Sequence, residues 1–177
     1  MEKSESLKNK EWELLWGVRR SVRYHMRRCR FFDTFHAFTS FVGVFAGSGA
    51  AVTYLWGKHP DYATIGALSV AIMSSIDLVV GTGPKARLHN ELAKRFIELE
   101  KEMTLAHRSL TEESIEKFTA ERLEIEADEP PILRTLDLLC HNELARAMGI
   151  PESSLVRIGP LKKIFANLIS FDAPVKA

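Results

Sequence analysis

From Thr34 to Trp56 the chain runs for 23 residues without an Asp, Glu, Lys or Arg. About 20 apolar residues suffice for a helix to cross a ~30 Å hydrocarbon core. Four polar residues, Lys58 to Asp61, follow closely, and then a second apolar run from Tyr62 to Val80 whose only formal charge is Asp77. This pairing predicts an all-α chain: a helical transmembrane hairpin with long cytoplasmic helical extensions. Residues 1–33 form a basic amphipathic helix continuing into the first span, 34–81 the two-helix hairpin, and 84–177 a cytoplasmic helical region.

Total charge says little, at 24 basic against 23 acidic residues, but its distribution is informative. Arg19, Arg20, Arg23, Arg27, Arg28 and Arg30 precede the first apolar run, and Lys85 and Arg87 follow the second. Basic residues at both outer ends of a hairpin place both termini in the cytoplasm, as in a multi-pass protein of the inner (plasma) membrane, with only the short turn outside. The same arginines suit lipid head groups, at ~1 kcal/mol per contact. Lying directly against a span, they are explained more simply by lipid and topology than by nucleic acid. The polar lead is long for the n-region of a cleaved signal peptide, so cleavage is not expected, although Ser48–Ala50 offers a small-x-small pattern. Cys29 and Cys140 share no metal-binding spacing and are expected to be reduced thiols.

Trp12, Leu15, Trp16, Arg19, Val22, Arg23 and Met26 recur at helical steps, and no proline occurs before Pro60. One helix is therefore expected from near Leu7 to Trp56, with kinks available at Gly17 and at Gly47-Ser48-Gly49. Its stripe suits either packing on later helices or lying on the membrane surface. In the first span Gly43, Gly47 and Ala51 stand four apart, and in the second Ala63, Ala67, Ala71 and Ser75 do so. Such small-residue faces let helices approach closely in lipid, either within the hairpin or against a neighbouring subunit in a homo-oligomer. Asp77 and His36 fall at corresponding depths. Asp77 either pairs with Arg27, Arg30 or Lys85 or contributes to a ring of acids at a pore mouth.

After Pro84 a third helix carries Leu92, Phe96, Leu99, Met103, Ala106 and Leu110 at the alternating four- and three-residue steps of a coiled-coil seam. Ser109-Leu110-Thr111-Glu112 reads as a capping box that restarts a helix near Glu112, bearing Ile115, Phe118, Leu123 and Ile125. Another helix is expected from Pro131 to Met148, stopped by Gly149, and an amphipathic segment from Leu161 to Phe171 with Lys162 and Lys163 opposite its apolar residues.

Catalytic chemistry is sparsely represented. The histidines at 25, 36, 59, 89, 107 and 141 are dispersed, with no HExxH, phosphate-binding loop or nucleophile elbow. No catalytic residue, metal or cofactor is expected from these spacings. Arg20–His25, Arg30–His36 and Arg134–His141 loosely resemble the Arg-then-His pattern of helical HEPN-type RNases, in which Arg orients the phosphate and His assists proton transfer. Arg134–His141 is the best placed, outside the spans and about two turns apart on one helix.

The stretch Glu129 to Gly149, EPPILRTLDLLCHNELARAMG, together with the order of parts, resembles the SLATT family of prokaryotic two-transmembrane proteins. The resemblance implies a membrane effector in a defence or conflict system that oligomerises and forms a pore or perturbs the membrane. It further implies a nucleotide-sensing or nucleotide-synthesising partner in trans, and it supplies no catalytic residues. A passive membrane anchor whose cytoplasmic helices bind a partner is the alternative expectation, and a membrane-tethered RNase the third.

Overall fold

The structure, a computed structural model, describes residues 2–55, 60–109 and 111–170. All regular structure among them is helical: α1 (Glu2–Leu55), α2 (Pro60–Val80), α3 (Thr82–Ala106), α4 (Glu112–Ala127), α5 (Arg134–Ala147) and the short α6 (Pro160–Ile164), with brief 3-10 turns between and after. Trp56 and the turn residues Lys58 and His59, the last seam position Leu110, and Phe171 lie outside the described residues. The chain divides into two compact units. One comprises Met1–Arg28 with His89–Ala177, the other Cys29–Leu88.

The first unit is built on the α3 seam and on a face of α1 one step away from the expected stripe, whose Trp12 and Met26 are exposed. Leu14 and Val18 of α1 bury against Leu92, Phe96, Leu99 and Met103 of α3 and Phe118 and Ile125 of α4, with Leu15, Val22 and Ala106 packed at the margin. The seam of α3 is therefore used within the chain, paired with the N-terminal helix. Each such aliphatic or aromatic side chain contributes ~1.5–3 kcal/mol by leaving water. A second cluster gathers Tyr24, Leu136, Cys140 and Ala166 under Leu133 and Leu139.

α1 runs unbroken through Gly17 and through Gly47-Ser48-Gly49. At Gly17 a Cβ would meet the Arg122 guanidinium at 2.6 Å, so this glycine makes room for a neighbour rather than a bend. The capping box falls two residues later than the sequence suggested. Ser109 still belongs to the 3-10 turn ending α3, its hydroxyl donating to the Ala106 carbonyl. Thr111 is the cap instead, its hydroxyl accepting from the Ser114 N–H while Ser114 accepts from the Thr111 N–H. α5 likewise starts at Arg134 rather than Pro131, because Leu133 is held extended with its N–H donated to the Tyr24 hydroxyl at 3.0 Å. It ends as expected at Gly149, whose φ of 78° permits the Ile150 N–H to reach back to the Ala145 carbonyl at 2.9 Å. The final segment is a short helix and a 3-10 turn, Phe165–Asn167, and not one continuous helix.

The second unit holds the later half of α1, α2 and the first residues of α3. α2 and α3 are separated only by Gly81 at φ 64°, a left-handed conformation that a side chain would strain. Two of its helices are long and apolar enough to cross a membrane. In their most apolar 18-residue stretches only 6% and 0% of residues are buried within the protein. Phe38, Phe41, Val44, Phe45, Ile65, Leu68, Leu78 and Val79 all stand exposed.

Candidate functional site

Within the second unit, His36 and Asp77 come together. His36 Nδ1 lies 3.0 Å from Asp77 Oδ2. The turn at Gly81, whose N–H donates to the Asp77 carbonyl at 2.9 Å, brings Thr82 back over the last turn of α2. The buried Thr82 hydroxyl donates to Asp77 Oδ1 and lies 3.4 Å from His36 Nδ1. A carboxylate, an imidazole and a hydroxyl are thus gathered beside exposed apolar side chains such as Leu78 and Val79. These groups can hold or pass a proton. Asp77 takes His36 and Thr82 as its partners, in place of the arginines or Lys85 that the sequence suggested.

The small-residue faces are used differently from each other. Gly66 makes the close approach between α1 and α2: a Cβ there would lie 2.9 Å from the Ala46 carbonyl oxygen and 3.1 Å from the Ala50 Cβ. A Cβ at Gly47 would lie 3.8 Å from Val70 Cγ2, whereas nothing lies within 4 Å of a Cβ at Gly43. Ala63 is half-buried, but Ala51, Ala67, Ala71 and Ser75 are exposed. Sequence reading missed Gly66, Ala46 and Ala50. Their signal was the second set of small residues four apart, Ala46 and Ala50, one position away from the set beginning at Gly43.

The arginines that precede the first apolar run find protein partners within the first unit. Arg19 pairs with Glu100 at 2.7 Å, Arg20 with Asp137 at 3.2 Å and Arg27 with Glu143 at 3.0 Å. Arg23 donates to the Arg19 carbonyl, and Arg28 to the Asn167 carbonyl at 2.6 Å. Arg30, in the second unit, is exposed. Burial pushes the Asp137 carboxyl up from its ordinary range, with Arg20 pulling it back. Burial also lowers the Arg28 guanidinium and raises the Tyr24 phenol.

A polar chain, also missed, runs through the core of the first unit. His25 and His89 face each other Nδ1 to Nδ1 at 2.9 Å, and His25 Nε2 lies 2.9 Å from Glu129 Oε1. The His25 ring is 1% exposed and the Glu129 side chain 7%, with Phe96 stacked on His25. The geometry is satisfied when His89 Nδ1–H donates to His25 Nδ1 and His25 Nε2–H donates to the Glu129 carboxylate. α1, α3 and the α4–α5 connection are thereby tied by one hydrogen-bonded line. His89 stands three residues before Leu92, on the seam itself, and that was its sequence signal.

The histidines of the three RNase-like pairs each meet another side chain. His25 is buried in this chain and Arg20 pairs with Asp137. His36 sits with Asp77. At the third pair, His141 accepts from the Trp16 indole at 3.4 Å and Arg134 is exposed. Cys140 is fully buried and its thiol is pushed up to about 12 by burial. Among the described residues no group of His, Cys, Asp and Glu is arranged to hold a metal ion. The chain matches no family model, no curated protein and no solved structure.

Proposed function

We propose that the unit of Cys29–Leu88 inserts in a bilayer as a two-helix transmembrane hairpin, with the helical bundle of the other unit on the cytoplasmic face. The observation that carries this reading is the almost complete exposure of its apolar helices, at 6% and 0% buried. A core helix of a water-soluble protein is mostly covered by its own chain. Contiguous apolar surface on this scale marks a lipid or protein interface. Residues before and after the hairpin share one core, Leu14 and Val18 with Leu92 and Phe96. This shared core supports a hairpin whose two ends return to the same side of the membrane, and the basic residues outside the spans support the cytoplasm as that side.

The functional reading is a membrane-embedded effector that oligomerises and forms a pore or perturbs the bilayer, in a prokaryotic defence or conflict system. It is supported by the exposed stripe Ala67, Ala71 and Ser75, which the hairpin does not use for its own packing, and by the polar group His36, Asp77 and Thr82. A nucleotide-sensing or nucleotide-synthesising protein acting in trans would engage the bundle. The test is membrane potential, read with a voltage-sensitive dye in cells expressing wild type or Asp77→Asn at equal level. Wild type depolarises the cells and Asp77→Asn does so less; unchanged potential with wild type would defeat the effector reading.

A passive anchor is the second reading, favoured by the well-packed bundle core in the first unit. It predicts that an unrelated two-span hairpin restores activity, which the effector reading forbids.

A further inference from the structure

Five large apolar side chains are left uncovered by the protein within nine residues near the C-terminal end of the described chain. Leu161, Ile164, Phe165, Leu168 and Ile169 are between 42% and 70% exposed. They belong to a segment that is fixed in place. Ala166 is buried against Tyr24, Leu136 and Cys140, and the Ser170 hydroxyl accepts the Arg134 N–H. The Asn167 carbonyl is held by Arg28 at 2.6 Å. Arg28 stands six residues before Thr34 on the unbroken α1. At 1.5 Å per residue that is ~9 Å along the helix from the first residue of the apolar run. Lys162 and the exposed Lys163 lie in the same segment, and Lys163 shares with Arg157 the lining of an adjoining groove.

We infer that residues 161–169 form an interfacial foot that lies on the anionic cytoplasmic membrane surface, with its apolar side chains in the headgroup–acyl boundary and its lysines on acidic lipid heads. The inference rests on the hairpin reading above, because only a bilayer entered near Thr34 brings lipid within reach of this segment. Apolar residues flanked by lysine are the composition of interfacial helices, and their binding combines buried apolar area with attraction to anionic lipid. The Arg28–Asn167 bond ties the segment to a point on the chain six residues before the apolar run.

The test uses the full chain in a Cys29→Ser background, reconstituted in vesicles of phosphatidylcholine with or without phosphatidylglycerol. Cys140, buried and protonated, stays unlabelled. A spin label is placed at Ile164→Cys, with Leu68→Cys as the hairpin reference and Glu124→Cys as the aqueous reference. Relaxation by oxygen, which partitions into lipid, is compared with relaxation by a water-soluble nickel chelate. The inference predicts that the label at 164 shows several-fold higher oxygen-to-nickel accessibility than the label at 124 in anionic vesicles. That ratio should drop toward the aqueous value without anionic lipid, or when Lys162→Glu and Lys163→Glu are introduced. A label at 164 as accessible to nickel as the one at 124, while 68 remains deep in lipid, would overturn the foot and leave the hairpin standing. Exclusion of both reagents at 164 with spin–spin broadening would overturn it in favour of a second copy of the chain. Nickel accessibility at 68 would remove the hairpin reading and the foot together.

Discussion

Replacing Gly66 with alanine tests how the two apolar helices are held together. The added methyl would lie 2.9 Å from the Ala46 carbonyl oxygen and 3.1 Å from the Ala50 Cβ. Ordinary contact between such atoms is ~3.5–4 Å, so α1 and α2 must part by roughly half an ångström or more. Both obstacles are backbone or a Cβ, and neither can swing aside as a long side chain would. Overpacking of this kind typically costs ~1–3 kcal/mol, against ~1 kcal/mol regained because alanine is the better helix former. The net expectation is a loss of ~0–2 kcal/mol against wild type, and ~1–3 kcal/mol against an alanine placed where the helix has room. Gly43→Ala supplies the control, since nothing lies within 4 Å of its Cβ, and it should be neutral or slightly stabilising. Equilibrium unfolding in mixed micelles with increasing dodecyl sulfate, followed by energy transfer across the hairpin, measures both. If Gly66→Ala proved as stable as Gly43→Ala, the helix register described above would be wrong.

Three further outcomes follow from the first unit. His25→Ala leaves His89 and Glu129 without their central partner and opens space beneath Phe96. It should cost ~3–5 kcal/mol, visible as a marked fall in the melting temperature of the full chain in detergent. Asn142 accepts the Val156 N–H at 3.0 Å and donates to its carbonyl at 2.7 Å, so Asn142→Ala should cost ~1–3 kcal/mol and speed proteolytic nicking between residues 149 and 159. Cys140, fully buried with its thiol pushed up to about 12, should resist a thiol reagent at pH 8 while Cys29 reacts; both should react in denaturant.

Periodicity made the helices legible. The seam Leu92, Phe96, Leu99 and Met103 was visible at helical spacing, whereas the α1 stripe was offset: Leu14 and Val18 form the buried face, Leu15 and Val22 only border it, and Trp12 and Met26 are exposed. Capping was legible in kind but displaced in position, because competing bonds to Ala106 and Tyr24 decide which residue starts α4 and α5. Polar pairing was least legible. Arg19, Arg20 and Arg27 read as a basic block beside an apolar run, yet Glu100, Asp137 and Glu143, each more than 80 residues away in sequence, take them up. The meeting of His25 with His89 and Glu129 was hidden for the same reason, since only tertiary packing joins three separate segments. His36 and Asp77 had been matched by depth alone, and the contact between them depends on the two-helix pairing that the small residues permit.

The most direct test of the account is sidedness. In a Cys29→Ser background, single cysteines at Asp61→Cys, beside the turn, and at Glu124→Cys, on α4, are exposed in bacterial cells to a membrane-impermeant maleimide. The account predicts that position 61 labels in intact cells and position 124 only after permeabilisation, with the protein held in the membrane fraction through alkaline extraction. Recovery in the aqueous fraction, or labelling of position 124 in intact cells, would contradict it.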